Sequence, residues 1–88
     1  MDMYVTDVYK KALATIPKDV SLQVEWSFSI SDKIDARLKE LGITQKEFAR
    51  MMGKTEAEVS RWLGGTHNFT LKTLAKISAV LDEDLIHM

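Results

Sequence analysis

Apolar residues recur along this chain in two different rhythms. Residues 3–16 place Tyr4, Val5, Val8, Tyr9, Ala12, Leu13 and Ile16 at the steps of three and four that line one face of a helix. Ile16-Pro17 breaks that pattern, and Pro17 suits the first turn of a new helix, where a missing N–H costs nothing. Val20, Leu22, Val24, Trp26, Phe28 and Ile30 then alternate with Ser21, Gln23, Glu25, Ser27 and Ser29, a strand-like period. From Ile30 the step lengthens to Ile34, Leu38 and Leu41 before Gly42, a helix stripe again. Residues 20–30 can thus be read as strand or helix. A lone strand has nothing to pair with. Within one helix over 18–41, each alternating position turns by ~200° and apolar groups fall on two faces. The helix is preferred, and it needs cover on both sides from the first helix, a second subunit or another protein.

Punctuation is clearer further on. Gly42, Gly53 and Gly64 stand eleven residues apart, each where an amphipathic segment ends. Between them lie Thr44-Gln45-Lys46-Glu47 and Thr55-Glu56-Ala57-Glu58, two Thr-x-x-Glu capping boxes. In such a box the threonine hydroxyl accepts a backbone N–H and the glutamate accepts the cap's own N–H. The boxes predict helices over 44–52, with Phe48, Ala49 and Met52 inward, and over 55–63, with Val59 and Trp62 inward. A loop over 64–69 leads to Thr70, the expected cap of a last helix through Leu81 with Leu71, Leu74, Ile77 and Leu81 on its inner face. Leu85 and Ile86 are expected to pack back, and Met51 and Met52 to fill core.

Composition bounds what these helices can do. A chain of 88 residues that is 45% apolar and 28% charged has the make-up of a globular domain. It has no cysteine, hence neither a disulfide frame nor a thiolate metal site, and His67 has no companion at ligand spacing. No metal or cofactor is expected. Neither a membrane span nor an export signal is legible, which reads as cytoplasmic. The absence of a nucleophile elbow, a phosphate-cradling loop or paired histidines argues against an enzyme. Net charge is −1, yet residues 43–76 hold Lys46, Arg50, Lys54, Arg61, Lys72 and Lys76 against Glu47, Glu56 and Glu58, a surplus of +3. That surplus mildly favours a polyanionic partner.

Two capped helices joined by Gly53-Lys54 satisfy the demands of a helix-turn-helix. Ala49 is small where the second helix crosses, Gly53 tolerates positive φ, and Val59 and Trp62 anchor the second helix three residues apart. Glu56, Ala57, Ser60 and Arg61 are left on its outer side. The stretch from Gly42-Ile43-Thr44-Gln45-Lys46-Glu47-Phe48-Ala49 through Val59-Ser60-Arg61-Trp62-Leu63-Gly64-Gly65 resembles the phage-repressor/Cro type of helix-turn-helix, the XRE family, over about residues 32–85. More narrowly, Ser27–Ile34 and the Gly65–Thr70 loop resemble small antitoxin-type regulators of toxin–antitoxin operons.

The resemblance implies an all-α fold, a compact bundle of about five helices. It would be a lambda-repressor-like DNA-binding domain over 17–88, with its helix-turn-helix at 44–63 and an N-terminal amphipathic helix over 1–16 for dimer or partner contact. It implies that the 55–63 helix enters the major groove of double-stranded DNA. Gln45 would bond a phosphate or base edge, and Glu56, Ala57, Ser60 and Arg61 would face the bases. Arg61 suits guanine O6 and N7. Lys54, Asn68 and the N-terminal amides at Thr55 and Thr70 would hold phosphates. The expected function is a sequence-specific regulator, a repressor binding an inverted repeat as a homodimer. The alternative is an antitoxin neutralising a small ribonuclease-type toxin. Glu56 departs from the basic norm, and Arg61 has the plainer alternative of a surface ion pair.

Overall fold

The structure, a computed structural model, describes residues 15–86. Four helices occupy them: α1 (Lys18–Leu41), α2 (Gln45–Met52), α3 (Glu56–Leu63) and α4 (Leu71–Leu81). No strand occurs among the described residues, and residues 18–41 form one helix of 24 residues, about 36 Å long. The helix expected over 3–16, the fifth of the bundle, lies outside the described residues except at its C-terminal end.

One polar position of the alternation in residues 20–30, Ser27, points inward, as does Ser31 just beyond it. Ser27 and Ser31 continue the line of Ile34 and Leu38 and are buried with them. Ser31 donates its hydroxyl proton to the Trp62 carbonyl, so a small polar residue lets α1 approach the end of α3 and satisfies a helix-terminal acceptor. Either side of this serine line the apolar residues diverge, Val24 and Phe28 to one flank and Trp26 and Ile30 to the other.

A single cluster forms the core: Ile34 and Leu38 from α1, Phe48, Ala49 and Met52 from α2, and Val59 and Trp62 from α3. Leu74, Ile77, Leu81 and the tail residue Leu85 complete it. Phe48 meets Trp62 edge-on, with ring centroids 6.0 Å apart. This is the geometry that sets a ring's positive edge against a negative face.

Three expectations are corrected. Leu71 is 76% exposed, because the steps 71–74–77 rotate it about 120° from Ile77. Met51 is exposed beside buried Met52, since neighbours on a helix point about 100° apart. Ile86 remains 37% exposed while Leu85 packs in. Among the described residues no helix is long and apolar enough to cross a membrane.

Candidate nucleic-acid interface

Both capping boxes form as spelled. Thr44 accepts from the Glu47 N–H at 3.1 Å, and Thr55 from the Glu58 N–H at 3.1 Å. Each glutamate accepts the cap's own N–H in return, Glu47 at 3.4 Å and Glu58 at 3.0 Å. The turn between α2 and α3 is closed by Gly53, at φ 68°, and by the Lys54 N–H, which donates to the Ala49 carbonyl at 2.9 Å. From α4, Lys76 reaches across and donates to the Met52 carbonyl at 2.8 Å, placing a cation at the negative end of α2.

With α3 pinned by Val59 and Trp62, its other side is open. Glu56, Ala57, Ser60 and Arg61 are exposed, as is Lys54 in the turn before them and Gln45 at the start of α2. Arg61 and Lys54 have no ion-pair partner among the described residues. Charge on this flank is shaped by the caps. Two of the three acids between 43 and 76, Glu47 and Glu58, are turned back onto backbone amides, leaving Glu56 as the acid without a bonded partner among the described residues.

Thr55 and Thr70 are caps first. The Thr70 hydroxyl accepts from the Thr73 N–H at 3.1 Å and donates to the Thr73 hydroxyl at 3.0 Å. Asn68 is exposed and lines a groove of about 560 Å³ between α1 and α4, together with Trp26, Lys33, Phe69 and Leu71. His67 sets its ring edge-on to Phe69 at 4.9 Å, half-buried. The described residues contain no group of side chains arranged to hold a metal.

Three supports of this geometry are invisible at sequence level because they join distant residues. Arg37 donates to the Leu81 carbonyl at 2.9 Å and pairs with Glu83 at 3.7 Å, fixing the end of α4 to α1. Lys76, counted with the basic surplus, serves α2 instead. Gly65, not Gly64, takes the left-handed conformation after α3: Gly64 has φ −74°, Gly65 φ 90°. A Cβ on Gly65 would lie 2.3 Å from the Phe28 ring, so the loop passes directly under α1.

The family described as helix-turn-helix matches residues 34–87, most of the described chain, including α2, α3 and α4. Neither a curated protein nor a solved structure matches.

Proposed function

Since the chain belongs to the helix-turn-helix family, in its XRE branch, and is thereby a DNA-binding transcription regulator, we propose that it is a repressor. It binds an inverted-repeat operator as a homodimer and reads each half-site with α3. One observation carries this: α3 buries Val59 and Trp62 while leaving Ala57, Ser60 and Arg61 open to solvent. A guanidinium so held is free to bond guanine O6 and N7 together, worth ~1–3 kcal/mol of discrimination. Lys54 and Gln45, at the two helix starts, contribute phosphate contacts that set register without reading sequence. Asn68 and the capped N-terminus at Thr70 add backbone contacts from the next element. Two-fold protein symmetry then asks for half-sites about 34 Å apart.

A shift assay on the chain's own upstream DNA, titrated with salt, tests the reading. Affinity should fall steeply with salt as phosphate counterions return. Arg61→Ala should erase preference among operator variants, whereas Lys54→Ala should weaken all sequences alike. Glu56→Gln should tighten binding about two- to fivefold at low salt by removing a carboxylate from a polyanion's path. Binding that ignores both salt and Arg61→Ala would overturn the proposal.

The exposed side chains of Val20, Val24 and Phe28 favour a protein contact as well. On the antitoxin reading that contact is a small ribonuclease-type toxin encoded beside this chain. Co-expression with the neighbouring gene product tests it, and growth arrest that the chain fails to relieve would count against it.

A further inference from the structure

The face of α1 that carries Trp26 has an unusual symmetry. Asp19, Leu22, Trp26, Ile30 and Lys33 follow one another at steps of three, four, four and three. At 100° per residue they form one stripe, about four turns long and centred on Trp26, rotated about 100° from the buried line through Ser27 and Ser31. The stripe reads the same in either direction by spacing, and its two ends carry opposite charges. Trp26 is 62% exposed. Asp19 and Lys33 are exposed and have no ion-pair partner among the described residues. Acids on the same helix that would repel an approaching copy, Glu25 and Asp32, lie on the side away from the stripe.

The geometry points to a second copy of this chain as the occupant of this face, with the two α1 helices antiparallel and crossing at Trp26. A two-fold axis through Trp26 sets residue 26 + k against residue 26 − k of the partner. Leu22 then meets the partner's Ile30, Gln23 meets the partner's Ser29, and Asp19 meets the partner's Lys33, each contact made twice. An interface related by two-fold symmetry must be self-complementary in this way. No other occupant requires the acid and the base to stand at mirror positions about the tryptophan. A four-turn seam alone is narrow against the roughly 1,200 Å² of total area that a stable interface needs. The adjoining groove widens it: Leu71 and Ile86, both exposed, and Phe69 and Leu85 wall the space beside Trp26 and Ile30 that the partner's Trp26 enters. This inference rests on the dimeric regulator reading and gives that dimer its surface.

The test is sedimentation velocity of the full chain without DNA, up to about 100 μM protomer, with circular dichroism to check that each variant remains folded. The wild type should dimerise. Asp19→Lys or Lys33→Asp alone should weaken dimerisation roughly tenfold or more, because two symmetric attractions become two repulsions. The double variant D19K/K33D should recover most of the loss. The chain contains no cysteine, so Trp26→Cys should form an oxidised dimer with its own symmetry mate, while Asp19→Cys should not. A wild type that stays monomeric would overturn the inference and assign the stripe to the N-terminal segment or to another protein. So would a dimer indifferent to both charge reversals, or single losses that the double variant fails to recover. Failure of the DNA reading is separable: a seam-dependent dimer that binds no operator sinks that reading and leaves this one standing.

Discussion

The first half of α1 is the more apolar in sequence and the less buried in the fold. From Ser31 to Leu41 the helix buries Ser31, Ile34 and Leu38 against α2, α3 and α4. From Lys18 to Ile30 it offers Val20, Val24, Trp26 and Phe28 to solvent, each more than two-fifths exposed, while only Ser27 is buried. The difference lies in what stands opposite. The second half is flanked by three helices of the same chain, whereas among the described residues the first half meets little beyond the Gly64–Phe69 loop and the tail. Hydrophobic patterning announces that a face will be covered; it says nothing about whether the cover belongs to the same chain.

Substitutions sharpen that contrast when unfolding is followed by chemical denaturation at one fixed protomer concentration, because a dimer's stability depends on concentration. Ile34→Ala should be the largest effect, about 3 kcal/mol lost, since the side chain is fully buried and surrounded by rigid neighbours. Gly65→Ala should cost about 2 kcal/mol from a positive φ and a clash with the Phe28 ring. In a Phe28→Ala background the clash portion should vanish and the backbone portion remain, which a double-mutant cycle reads directly. Ser31→Ala should cost about 1 kcal/mol by leaving the Trp62 carbonyl short of a donor. Val24→Ala should change stability by less than about 0.5 kcal/mol, with alanine's better helix propensity offsetting lost contacts. A Val24→Ala loss as large as that of Ile34→Ala would break the contrast and show the first half to be core.

Much of the helix-turn-helix was legible because its determinants are local. A capping box spans four residues and a glycine turn three, so Thr44, Glu47, Gly53, Thr55 and Glu58 are found in the structure doing what their spacing implies. The inward set Phe48, Ala49, Met52, Val59 and Trp62 follows from helical period alone. The open flank of α3, with Glu56, Ala57, Ser60 and Arg61, is its complement. What escaped depends on contacts far apart in sequence or on the edge of a stripe. Arg37 on the Leu81 carbonyl, Lys76 on the Met52 carbonyl and Ser31 on the Trp62 carbonyl join different helices. Leu71 sits where a three-three step carries an apolar residue off the inner line, and an amphipathic pattern does not mark its own limits. Gly64 and Gly65 are neighbours, and only the passage under Phe28 decides which of them takes the left-handed turn.

The connection between α2 and α3 has no slack. Each of its three amides is already engaged: Gly53 with the Arg50 carbonyl, Lys54 with the Ala49 carbonyl and Thr55 with the Glu58 carboxylate. A helix held so tightly cannot swivel to suit a new target. What this face of α3 presents to solvent is therefore altered by exchanging the exposed side chains at 56, 57, 60 and 61, not by a new tilt of the helix, as type is changed in a fixed frame.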